Sequence, residues 1–183
     1  MNQEVVHGIP DKHRIIHEGD IVSLDAGVIY KGYHSDAART HAVGEVSEEA
    51  KKLIQVTKEC FFEGIKYAKA GNHLFDISGA IGRYAEERGY GVVRDLCGHG
   101  IGTALHEAPE IPNYEVGRKG VRLRPGMTLA IEPMINIGTH EVDWLDDDWT
   151  VVTRDGSLSA HYENTILITE GEPRILSLTC DNE

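Results

Sequence analysis

The stretch Leu129-Ala-Ile-Glu-Pro-Met-Ile135 sets one carboxylate inside an otherwise apolar run. An unpaired buried carboxylate costs several kcal/mol, so a fold that buries this run must bring something cationic to Glu132. The chain of 183 residues is about one domain long. Its 18 Lys and Arg against 30 Asp and Glu leave a formal net charge of −12, the wrong sign for holding phosphate backbones, so no nucleic-acid partner is expected. No apolar run approaches the ~20 residues that span a bilayer, so no membrane partner is expected either. Cys60, Cys97 and Cys180 are an odd number at unpatterned spacings, without a secretory signal before them. They speak against a disulfide framework and for a reducing, cytoplasmic location.

Asp20 to Tyr30 alternates, with Val22, Leu24, Ala26 and Val28 on one face and Ser23, Asp25 and Gly27 on the other, and Tyr33 to Val43 alternates again. With Lys31-Gly32 as a two-residue turn, the pattern predicts a hairpin that sets Tyr30 opposite Tyr33 and Asp25 opposite Ala38. Asp25 and Asp36 then share a face as diagonal neighbours, roughly 7–8 Å apart at the backbone, within reach of one common cation. A helix is expected from an N-cap at Ser47 to Gly71, and a second one ending near Gly89, both amphipathic and packed on a sheet. Further strands are expected at Val92 to Cys97, Met127 to Glu132, Trp149 to Arg154 and Leu158 to Thr169, the last two joined as a hairpin at Asp155-Gly156. On the return strand Ser159, His161, Glu163 and Thr165 share a face. The order of strands, helices, strands indicates an α+β fold with helices backing an antiparallel sheet.

Asp25, Asp36, His99, His106, Glu132 and Glu163 stand at strand positions or beside glycine, where such side chains have little structural role. Any one of them alone reads as a solvent-facing residue; the set does not. Four carboxylates and one neutral imidazole carry a charge that two divalent cations balance, and carboxylates can bridge two ions. Without metal, the four acids would raise one another's pKa and hold protons. Imidazole candidates at His7, His99 and His106 favour a transition metal over calcium. His13, His17, His34, His41, His73 and His140 receive no assignment.

Three motifs are decoys. Cys97-Gly-His-Gly-Ile-Gly102 has glycines at a spacing near that of a dinucleotide loop, but it lacks the third glycine in place and opens no βαβ unit. His106-Glu-Ala-Pro-Glu110 is not H-E-x-x-H, and Pro109 would break the helix that motif requires. The acidic run Glu141 to Asp148 is expected to be a solvated loop and a weak candidate for docking.

Taken together, Val6-His-Gly-Ile-Pro10, Leu24-Asp25, Ser35-Asp36, Cys97-Gly-His-Gly-Ile-Gly102, Leu105-His-Glu-Ala-Pro109, Ile131-Glu-Pro133 and Tyr162-Glu163 resemble the type I methionine aminopeptidases along the whole chain. The resemblance implies the pita-bread (creatinase/aminopeptidase-like) fold as a single metallopeptidase catalytic domain over 1–183. It implies two divalent metal ions (Co, Mn, Fe(II) or Zn), with Asp25 chelating one, Asp36 and Glu163 bridging both, and His99 and Glu132 completing the other. A hydroxide between the ions would be the nucleophile. Glu132 would also shuttle a proton, His106 would stabilise the tetrahedral intermediate, and His7 would contact the amide of the second substrate residue. Trp149 would wall the methionine pocket, and Leu105 takes a position that is aromatic in many relatives. The implied substrate is a nascent polypeptide or peptide with a small second residue, with ribosome association as a further expectation. A proline-directed, prolidase-like peptidase and a non-catalytic scaffold are the alternatives. The segment before His7 is short for the family, so the chain is expected to begin partway through the fold. A missing N-terminal segment would leave apolar sheet surface to be covered by a partner or by self-association.

Overall fold

The computed structural model describes residues 1–178. In chain order it comprises β1 (Glu4–Val6), β2 (Ile21–Tyr30), β3 (Tyr33–Ala42), α1 (Glu48–Ile65), α2 (Leu74–Glu86), β4 (Gly91–Val92), β5 (Gly98–Gly100) and β6 (Glu107–Ile111). The remainder is β7 (Thr128–Ile131), β8 (Met134–Asn136), β9 (Val142–Trp144), β10 (Val151–Thr153), β11 (Ser159–His161), β12 (Asn164–Leu167) and β13 (Arg174–Ile175). All strand pairs are antiparallel, in sheets ordered β1-β10-β9, β11-β8-β4, β13-β12-β7-β5-β6 and β2-β3.

The β2–β3 hairpin has the expected register, with Tyr30 opposite Tyr33, Asp25 opposite Ala38 and Gly27 opposite Asp36. Lys31 and Gly32 both adopt positive φ, 50° and 83°, the twist that a two-residue turn between right-twisted strands requires. Asp36, Ala38 and Thr40 are buried on one face, whereas Leu24, Val28, Tyr30 and Tyr33 on the other face are 60–70% exposed.

Threonine hydroxyls dock the hairpin on the second half of the chain. Thr165 Oγ1 accepts from the Asp36 amide (2.8 Å) and donates to the Asp36 carbonyl (3.0 Å). Thr40 Oγ1 does the same for His161, accepting from its amide (2.8 Å) and donating to its carbonyl (2.9 Å). Between these two clamps the Glu163 amide donates to the Ala38 carbonyl at 2.9 Å. Asp36, Ala38 and Thr40 thus lie against Thr165, Glu163 and His161 in antiparallel order, and this joins the candidate residues Asp36 and Glu163 of the two halves.

Helix α1 starts as expected, with the Ser47 hydroxyl accepting from the Ala50 amide at 3.1 Å. The main core lies under α1 and α2, with Leu53, Phe61, Ile77 and Ile81 packed on Ile111, Leu129, Ile131 and Ile166. Gly64 allows the helices this approach, since a Cβ there would strike the Ile81 side chain.

Five expectations are corrected. Leu158 to Thr169 is not one strand: it breaks at Tyr162-Glu163, with β11 paired to β8 and β12 to β7 in separate sheets. Helix α1 ends at Ile65, not Gly71: beyond it the Gly71 and Leu74 amides donate to the Leu123 and Val121 carbonyls, drawing the chain into pairing with that segment. Val92 to Cys97 is not one strand; pairing ends after Val92 and resumes at Gly98, so the glycine-rich stretch is itself a strand. The Asp155-Gly156 turn does not close a hairpin, because the N-terminal segment runs between the two strands. The Thr153 amide donates to Gln3 and the Ser159 amide to Asn2, taking ladder positions that a hairpin would use. The acidic run is not wholly a loop: β9 buries Val142 against Thr153, while Arg154 pairs with Glu141 and Asp143. Cys60 and Cys97 carry free thiols, and Cys180 lies outside the described residues.

Candidate metal centre

Strand β5 lies between β6 and β7, and its glycines are there for that reason. A Cβ on Gly98 would overlap the Ala130 carbonyl, and one on Gly100 would overlap that of Ala108. The strand can therefore sit deep enough to bring His99 to Asp36 and Glu163. Single ligand atoms of these three buried residues lie within 4.8 Å of one another. The His99 Nδ1–H donates to the Gly100 carbonyl at 2.9 Å, which fixes the tautomer and leaves the Nε2 lone pair free to ligate. That lone pair faces Glu132 Oε1 at 3.5 Å, the arrangement of two ligands converging on a common cation. Glu132 stands where β7 gives way to Pro133, and the buried Asn113 amide donates to its backbone carbonyl at 3.1 Å.

Electrostatics agrees. Burial, reinforced by Glu132, Asp36 and Asp25, pushes the Glu163 carboxyl up to about 10. Asp25 is also raised, first by the walls that crowd it and then by Asp36 and Glu132, with His161 opposing. Glu163 Oε1 is buried without a hydrogen-bond partner. A divalent cation answers all of this at once, supplying charge to the acids and a partner to the orphaned oxygen. The donor set of carboxylate oxygens and one imidazole nitrogen suits Mn, Fe(II), Co or Zn.

The profile of Metallopeptidase family M24 matches residues 1–170. The chain belongs to this family. A methionine aminopeptidase from Clostridium acetobutylicum is 60% identical over 178 residues, covering 97% of this chain and 71% of the relative. The crystal structure of a methionine aminopeptidase from Thermotoga maritima superposes with a TM-score of 0.95 at 50% identity, covering 97% of this chain and 72% of that one. A prolidase from Pyrococcus furiosus is more distant, at TM-score 0.69 and 30% identity over 90% of this chain and 43% of its own. The α+β architecture is thus the pita-bread fold of the M24 enzymes, which use divalent metals.

Around this M24 centre lies a cavity of about 670 Å³ lined by His7, Asp25, Cys97, His99, His106, Glu132 and Met134 among others. His7, which lines it, lies in the left-handed region at φ 59°, unusual for a non-glycine residue. His106 is exposed, its ring edge-on to that of His99 with centroids 4.3 Å apart. Trp149 is also exposed and meets the site through the His7 ring, 5.9 Å away. Leu105 packs near Gly27 of β2. Sequence reasoning missed His161, which is 2% exposed with Nε2 3.6 Å from Glu132 Oε2. The signal was present, since alternation places His161 on the Glu163 face.

Proposed function

We propose that this chain is a metal-dependent aminopeptidase that removes the N-terminal methionine from peptides and nascent proteins with a small second residue. One observation carries the reading: Asp25, His99 and Glu132 line one cavity and the ligand atoms of Asp36 and Glu163 lie within 4.8 Å of that of His99, in an M24 chain 60% identical to a methionine aminopeptidase.

Asp25, Asp36, His99, Glu132 and Glu163 would hold two divalent ions, Asp36 and Glu163 shared between them. When bound, these ions acidify water and polarise the scissile carbonyl. The protein's own part is to orient and to move protons. A Glu132 carboxylate oxygen takes the proton from the attacking water and passes it to the leaving amine. The His106 ring donates to the oxyanion as charge develops there. His7 contacts the amide of the second substrate residue, and Trp149, packed on His7, with Leu105 shapes the methionine side of the site. We further propose that residues 1–183 form one catalytic domain working in the cytoplasm on chains emerging from the ribosome. None of the helices described is long and apolar enough to cross a membrane.

Initial rates on Met-Ala-Ser and on a Xaa-Pro dipeptide separate this activity from the proline-directed one. Methionine release at least ten times faster than Xaa-Pro cleavage is expected. The reverse order would assign the chain to the prolidase-like branch.

A further inference from the structure

The two oxygens of Glu132 face two different imidazoles. Oε1 looks at His99 Nε2 at 3.5 Å, and Oε2 looks at His161 Nε2 at 3.6 Å. His99 is committed as a lone-pair donor, because its Nδ1–H is bound to Gly100. His161 is in the opposite condition. Its backbone is clamped at both amide and carbonyl by Thr40, which also meets Ser23 Oγ at 2.9 Å. Its ring is 2% exposed, and Nε2 is buried with no hydrogen-bond partner. An unpartnered buried ring nitrogen is costly, and the polar atom it faces is a carboxylate oxygen, which can only accept.

We propose that His161 is a positioning residue of the metal centre, holding Glu132 through an Nε2–H donated to Oε2 and so aiming Oε1 at the cation shared with His99. The inference rests on the metallopeptidase reading above. The bond closes with a small carboxylate rotation and uses one lone pair of Oε2, whose other lone pair stays available for the proton that Glu132 carries. Partners of this kind orient ligands and typically contribute ten- to hundredfold to metal affinity.

The test compares His161→Phe, which keeps a planar ring and loses the donor, with His161→Gln, whose amide nitrogen returns a donor near the same place. Each is titrated with Mn(II) by calorimetry, its Co(II) absorption spectrum is recorded, and the metal-free melting temperature of each is measured. The proposal expects Mn(II) affinity to fall roughly ten- to hundredfold in His161→Phe, with a changed Co(II) spectrum, and to return within about threefold of the parent in His161→Gln, whatever the melting temperatures. Parent-like affinity and spectrum in His161→Phe would overturn this inference and leave the metallopeptidase reading intact, and so would equal loss in both variants, which marks packing rather than donation. Absence of Mn(II) binding by the parent chain would overturn both.

Discussion

Glu163 concentrates the chemistry of the site in one side chain. It is buried, its Oε1 has no partner, and its carboxyl is pushed up to about 10 by burial and by three neighbouring acids. A carboxyl with a higher pKa in the fold than in the unfolded chain costs stability as pH rises, because the unfolded chain ionises first. For Glu163 the cost begins near its ordinary value of 4.5 and grows towards 10. The cluster of acids around Glu163 is thus expected to retain a proton at neutral pH without metal, which a bound cation would displace. Calorimetric titration with Mn(II) at neutral pH, in two buffers of different ionisation enthalpy, should show proton release on binding. Identical heats in the two buffers would mean that the cluster of acids is already fully ionised. Asp25, Asp36, His99, His106, Glu132 and Glu163 stand out in the sequence because such side chains at strand positions or beside glycine lack a structural reason to be there, and the family resemblance selects five of them as proposed ligands. His161 does not stand out, because its importance lies in which atom its ring faces, and that depends on how β11 docks on β3.

Elements were read well where their causes are local. The β2–β3 register follows from alternation and a two-residue turn, and the Ser47 cap marks the start of α1. Alternation and the Asp155-Gly156 turn predict that β10 and β11 pair, but the N-terminal segment, far away in sequence, claims the ladder positions between them. The glycines of β5 also depend on distant contacts: they serve the close approach of β6 and β7 rather than a phosphate loop. Gly100→Ala should push β5 from its neighbours, lowering stability by about 1–3 kcal/mol as in other overpacked interiors and weakening metal binding through the displaced His99. Thermal melting and Mn(II) titration check both effects. A variant with unchanged melting temperature and affinity would show that β5 has room to spare.

At the scale of the molecule, the chain presents a face that soluble monomers seldom leave open. Leu24, Val28, Tyr30 and Tyr33 stand together on the outer side of the hairpin whose inner side holds Asp25 and Asp36. Sedimentation equilibrium at tens of micromolar should give a mass above the 20.2 kDa of one chain, falling back when Val28→Lys is introduced. A monomer at these concentrations would show that the face is tolerated in water. Because the five proposed ligands lie on the inner side and in the second half, metal binding is expected to be independent of what covers that face. The central claim is that these ligands hold metal and that the metal drives removal of methionine. Its most direct test is release of free methionine from Met-Ala-Ser by the chelator-stripped chain as Mn(II), Co(II) or Fe(II) is added back. No release before addition and a saturable rise with at least one ion, abolished in Asp36→Ala, is the result predicted; release that persists in chelator, or none with any of the three ions, would contradict it.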